Sequence, residues 1–193
     1  MTLNRFDAAQ LPRTPWKNGG GTTREIISSP RGATLGTFVW RVSIADVSTS
    51  GPFSVFEGVD RVLVLLEGNG VELSGADGRV VHRLDTPLVP FIFSGDDEIT
   101  SSLLAGPSVD FNVMTRRSVA RADVRVVRAR EELATYRSGV LFAARGEWTV
   151  SANGAEPIRF EAGDGCWWDD EAIACRVAPE SSDAVLLAVG IRS

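Results

Sequence analysis

The chain has 193 residues with a formal charge of −5, from 20 Lys and Arg against 25 Asp and Glu. Its 44% hydrophobic fraction supports a packed core and excludes wholesale disorder. One histidine, His82, and two cysteines, Cys166 and Cys175, exclude any multi-histidine centre, a four-cysteine zinc site and a disulfide scaffold.

The acidic balance also argues against nucleic-acid binding, which needs a basic surface. In chain order, the opening MTLNRFDAAQ lacks the apolar stretch of an export signal, and no apolar run approaches membrane-spanning length. Together with so few cysteines this fits a reducing cytoplasm. Runs rich in Val, Ile, Leu, Phe and Trp then recur between Gly, Asp, Asn and Pro turns: Gly36–Ile44, Arg61–Leu66, Gly70–Ser74, Val80–Leu84 and Leu88–Phe93. Later runs are Val140–Ala144, Trp148–Ser151, Ile158–Phe160, Ala172–Val177 and Ala184–Val189. Many short strands at close spacing predict an all-β sandwich or barrel. Ala76-Asp77-Gly78 and Ala152-Asn153-Gly154 read as hairpin turns. The arginine-rich stretch between Arg116 and Arg130 reads as a solvated linker, and Arg130–Leu133 as one helical turn at most.

The pattern repeats. VLVLLEGNGVELSGADGRVVHRL from Val62 and VLFAARGEWTVSANGAEPIRF from Val140 both run strand, Gly, short strand, Gly turn, strand, with Gly68 matching Gly146 and Gly78 matching Gly154. Each copy ends in an apolar strand, Phe111–Met114 or Val185–Val189. The repeat predicts two equivalent β domains, residues 1–120 and 121–193, with the N-terminal segment lending strands across the boundary. Two small modules together share core and cover edges that one alone would leave open.

Three segments carry candidate chemistry. Trp16, Lys17, Asn18, Gly19-Gly20-Gly21, Thr23, Arg24 and Glu25 combine a costly glycine run with an aromatic, an amide, hydroxyls and charges. This suits recognition of a small polar ligand; the competing reading is a structural turn with Trp16 plugging the core. Alternation at Phe38–Val47 puts Phe38, Trp40, Val42 and Ile44 on one face and Arg41 with Ser43 on the other. Asp110, Asn112, Met114 and Arg116 share one strand face beside Phe111, which suits a polar pocket wall as well as a solvent face. Arg61 opens the strongest strand as a ligand anchor or an ion-pair partner. The matching second-half strand, Ala184–Val189, carries no polar side chain, so the first half is expected to hold the site.

PWKNGGGTTREI, FVWRVSIADVSTSGPFSVFEGVDRVLVLLEG and DFNVMTRR together resemble the HutD family, also called the Ves family. The resemblance implies a bicupin: two cupin-like double-stranded β-helix (jelly-roll) barrels in one chain. It also implies self-association into a homo-oligomer such as a dimer, and a tie to bacterial histidine utilisation through binding of a pathway metabolite such as urocanate or a formylated derivative. Metal-binding cupins use His-x-His with a Glu and a further His, and the matching GPFSVFEGVDRVLVLLEG has no histidine, so no metal or other cofactor is expected. The resulting expectation is metal-free, non-catalytic binding of a small anionic or zwitterionic metabolite in the first barrel. Arg24, Arg41 and Arg61 anchor its carboxylate, Glu25 and Asn18 read N–H donors, and Trp16 or Phe111 stacks on a ring. The rival readings are a metal-independent isomerase or hydrolase with Glu25 or Asp110 as base, and a structural or protein-interaction module.

Overall fold

The computed structural model describes residues 3–193. Among them are strands and turns but no helix, hence none long and apolar enough to cross a membrane. In chain order the strands are β1 (Asn4–Asp7), β2 (Arg13–Pro15), β3 (Gly21–Ser29), β4 (Trp40–Val47), β5 (Gly51–Pro52) and β6 (Val59–Gly68). Next come β7 (Val71–Gly75), β8 (Val80–Leu84), β9 (Pro90–Ser94), β10 (Ile99–Leu103), β11 (Ser108–Arg116), β12 (Arg121–Val127) and β13 (Glu131–Glu132). The last six are β14 (Ser138–Arg145), β15 (Trp148–Ala152), β16 (Ile158–Phe160), β17 (Asp164–Trp168), β18 (Cys175–Pro179) and β19 (Val185–Arg192).

The chain forms two compact units, Pro12–Ala120 and a second made of the described residues up to Leu11 with Arg121–Ser193. In Pro12–Ala120 a six-stranded antiparallel sheet, β2-β3-β4-β11-β6-β9, packs on a four-stranded sheet, β5-β10-β7-β8. Leu63, Leu65 and Phe93 from the larger sheet meet Val71, Leu73, Leu84 and Ile99 from the smaller one in a single core. In the other unit a five-stranded sheet, β1-β17-β14-β19-β12, packs on β13-β18-β15-β16. Its hydrophobic core gathers Trp148, Phe160, Trp168, Leu141 and Leu186, and Trp148 Nε1 is buried there without a hydrogen-bond partner. The expected barrels are, in hydrogen-bond terms, two-sheet sandwiches: in each unit the ladders end on open edges instead of closing.

Local sequence explains much of this. Gly78 takes φ +75° and closes the β7–β8 hairpin, with the Gly75 N–H donating to the Arg79 carbonyl at 2.9 Å. At the matching turn, Asn153 and Gly154 take φ +48° and +73° between β15 and β16. Three expectations need correction. Gly21–Glu25 is the start of strand β3, so the loop proper is Trp16–Gly20. The arginine-rich linker contains a seven-residue strand, β12, paired along its whole length with β19. The helical turn at Arg130–Leu133 is instead strand β13, paired with β18.

Candidate functional site

Antiparallel register places side chains of partnered residues on the same side of a sheet. On β11, Asp110, Asn112 and Met114 oppose Ala45, Ser43 and Arg41 of β4, and Leu65, Leu63 and Arg61 of β6. Glu25 of β3 opposes Ser43, and Phe93 of β9 opposes Arg61. Because Leu63, Leu65 and Phe93 belong to the core between the two sheets, this face points inward, with Glu25 at its exposed margin. The interior of Pro12–Ala120 is therefore apolar along β9 and most of β6, and polar at Arg61 of β6, Arg41 and Ser43 of β4, and Asp110 and Asn112 of β11.

Arg61 is 7% exposed. Its guanidinium carbon lies 5.2 Å from the Phe53 ring centre, 5.6 Å from Phe56 and 5.0 Å from Phe93. Three aromatic faces partly replace the water this cation has lost. Its Nε has no hydrogen-bond partner. Burial, and secondarily the nearby Arg41 charge, pull its pKa down to about 10. Arg41 is already engaged: its Nε donates to Glu25 Oε2 at 2.6 Å and a terminal nitrogen donates to Ser43 Oγ at 3.3 Å, while Ser28 Oγ holds the other Glu25 oxygen.

Asp110 is 1% exposed. Its Oδ1 accepts from Ser108 Oγ at 3.1 Å, and Oδ2 is buried without a partner. Burial pushes its pKa up to about 6 against the opposing pull of the Ser108 hydrogen bond. Two residues on, Asn112 also buries an unpartnered Oδ1. A buried polar atom left unmatched costs about 1–3 kcal/mol. Three such atoms lie together on one inward face: Arg61 Nε, Asp110 Oδ2 and Asn112 Oδ1.

Beside this face lies a cavity of about 150 Å³, lined by Trp16, Asn18, Gly20, Thr49, Ser50, Gly51, Pro52, Phe53 and Ser101. The register Gly21–Val47–Ser108 sets it at the Asp110 end of the polar strands, and Phe53 links it to Arg61. The loop that forms its rim is braced from within. Trp16 Nε1 donates to Thr23 Oγ1 at 2.7 Å, Asn18 Oδ1 accepts from the Gly20 N–H at 3.0 Å, and the Gly20 carbonyl takes the Ser48 N–H. A side chain at Gly21 would sit 2.2 Å from the Asp46 carbonyl, so the third glycine serves close strand approach. Lys17 is exposed on the rim.

Not every residue singled out from sequence arrives here. Arg24 registers with Ile44, on the face opposite Arg41 and Arg61, and donates to Asp46 at 3.0 Å; Arg13 and Thr22 bind the same carboxylate. Phe111 registers with Ile44 and Val64 on that opposite face, fully buried, and so lies away from the inward-facing polar wall. Arg116 spends its guanidinium on the Phe38 and Gly36 carbonyls. Met114 packs with Phe38 and Val59 as floor. Conversely, Phe53, Ser101, Ser108, Thr49 and Ser50 join the site although sequence reasoning misses them; Phe53 and Phe56, three residues apart and just before Arg61, are the available signal.

Metal ligation does not suit this donor set. The inward polar groups are two guanidiniums, one carboxylate beyond the Arg41-bound Glu25, one carboxamide and hydroxyls, and among the described residues no three His, Cys, Asp or Glu cluster at metal-binding spacing. His82 stacks on Phe91 with ring centres 3.8 Å apart. Burial raises the pKa of both cysteines, Cys175 to about 11, which leaves them as inert thiols.

Known structures agree with this architecture. A conserved protein of unknown function from Pseudomonas aeruginosa PAO1 matches at 34% identity and TM-score 0.85, covering 100% of both chains. HutD from Pseudomonas fluorescens SBW25, solved in a formate condition, matches at 30% identity and TM-score 0.80, again over 100% of both. A cupin 2 conserved barrel domain protein from Leptotrichia buccalis shares the fold alone, at 8% identity and TM-score 0.63 over 100% of this chain and 98% of that one. The HutD family model matches residues 8–186, and on that span the chain belongs to the HutD family.

Proposed function

We propose that this protein is a bicupin whose Pro12–Ala120 unit binds a small carboxylate metabolite of histidine degradation, urocanate or a formylated derivative, without a metal. The observation that carries this reading is Arg61: a buried guanidinium with an unpartnered Nε, held among three phenylalanines. An unpaired buried cation is a cost for the empty fold and an asset for an anion-binding one. The polar wall of Arg41, Ser43 and Asn112 extends the site, and the Trp16–Gly20 rim controls entry.

Calorimetry and thermal shift with urocanate, its formylated derivatives and formate test it. A ligand of the native state raises the melting temperature by mass action. Arg61→Met should abolish the shift while the far-ultraviolet spectrum of a β protein persists. An unchanged melting temperature at millimolar ligand would sink the proposal.

One observation favours a second reading. Asp110, with a pKa near 6, is a carboxylate poised to exchange a proton around neutral pH. Metal-independent turnover of the same metabolites, lost in Asp110→Asn, would make the protein an enzyme.

A further inference from the structure

The inward polar wall has a direction. At one end stand Arg61 and Arg41, both donors. At the other stands the free Oδ2 of Asp110, an acceptor, with Asn112 between the two ends. Four residue steps along β11 separate Asp110 from the Met114–Arg61 pair, about 13 Å between α-carbons at roughly 3.3 Å per residue. A ligand with carboxylates at both ends would press an anion against a buried carboxylate. A ligand with a donor at one end completes both.

We propose that Asp110 is the specificity-determining residue of this site, selecting a dipolar ligand that carries a carboxylate at the Arg61 end and an N–H donor at the Asp110 end. This rests on the carboxylate-binding reading above. The other acceptors near the site are already committed. Glu25 holds Arg41 and Ser28, Asp46 holds Arg13, Thr22 and Arg24, and Asn18 Oδ1 holds the Gly20 N–H. Asp110 Oδ2 is thus the charged oxygen in the interior with capacity to spare. Ser108 orients the carboxylate through Oδ1, which presents Oδ2 to the ligand. Asn112 sits between the poles, and its amide can turn either an oxygen or an NH₂ to a guest, so it adapts where Asp110 discriminates.

Three probes on the full chain at pH 8 test this by calorimetry: trans-urocanate, 3-(2-furyl)acrylate, which keeps the shape and carboxylate but lacks the N–H, and glutarate. Urocanate should bind about tenfold or more tighter than furylacrylate, since loss of a donor leaves a buried charged acceptor unmatched. Glutarate should be weakest. In Asp110→Asn the urocanate preference should shrink below about threefold, whereas Arg61→Met should weaken both acrylates together. Equal binding of the two acrylates to the wild-type chain, or a preference that survives Asp110→Asn, would overturn the assignment. If all three probes bind alike and Arg61→Met abolishes them, the carboxylate site stands and only the role of Asp110 falls. If none binds, both fall.

Discussion

At the register positions where Pro12–Ala120 places Arg61, Met114, Asn112 and Asp110, the other unit places Gly139, Gly190, Ala188 and Leu186. The match is strand for strand: β6 with β14, β11 with β19, β4 with β12, and both central pairs carry a bulge at the same place, near Asp110 and near Ala143. One unit fills that region with charge and leaves polar atoms open. Its counterpart empties the backbone positions and fills the volume with rings: a side chain at Gly139 would meet Trp168 at 2.5 Å, and one at Gly190 would meet Tyr136 at 2.3 Å. What remains there is a cavity of about 20 Å³, too small for more than a water. The same ladder therefore supports either an open polar wall or a ring-filled plug, and the choice lies in about four side chains.

The largest expected effect comes from putting side chains back where the plug has glycines. Gly139→Ala or Gly190→Ala should destabilise the chain by about 3 kcal/mol in urea unfolding, because the new methyl collides with an indole or phenol ring and, at Gly139, with the Val189 carbonyl. A loss under about 0.5 kcal/mol would mean that Trp168 and Tyr136 can retreat and that the plug is not tight.

Next is the pH dependence of the polar wall. The folded pKa of Asp110 lies above its unfolded value, so its proton is bound more tightly in the native state. Its contribution is fully present below about pH 4 and lost as pH rises through 6. The fall is up to about 3 kcal/mol, at about 1.4 kcal/mol for each pH unit separating the folded and unfolded values. The stability difference between wild type and Asp110→Asn, followed from pH 4 to 7, isolates it from other carboxylates. A flat difference would show that Asp110 is solvated. On the surface of the same unit Asp96 has the opposite sign. The Gly58 N–H, then Ser94 and Arg117, hold its pKa down to about 2, so its contribution is present above pH 4 and fades as pH falls toward 2.

A smaller effect separates function from stability. Arg61→Met, which removes an unpaired buried charge for a side chain of similar reach, should change apo stability by no more than about 1 kcal/mol in either direction while abolishing anion binding. A loss of several kcal/mol would mean that the aromatic contacts, and not a ligand, account for Arg61. Smallest of all, Arg125→Ala, at the register position of Ser43 but exposed and paired with Glu131, should cost about 0.5 kcal/mol or less.

Strict alternation makes much of this legible from sequence. Trp40-Val42-Ile44 against Arg41-Ser43, and Asp110-Asn112-Met114, each read off as opposite faces, and both sets lie as that period dictates. Strand β3 is opaque because its two faces are both polar at Thr22–Glu25, one side serving Asp46 and the other Arg41. Without a strand assignment, Arg24 and Glu25 look like one constellation; neighbours on a strand point apart. The arginines on its exposed positions hide β12, since an edge strand with polar alternation reads as a solvated linker. The contribution of Phe53 and Ser101 depends on pairing between β5 and β10, some fifty residues apart, which no local pattern reports.

The aromatic box around Arg61 has a kinetic consequence. Arg41 could capture an anion fully only by loosening Glu25, so recruitment there carries an exchange step. Arg61 is kept charged by three ring faces that compete with no arriving carboxylate. In the proposed binding mode, an anion that reaches Arg61 finds a cation whose position is already set and whose counterion need not be evicted. Association should run at a rate set by passage through the rim, with differences among ligands appearing in how slowly they leave.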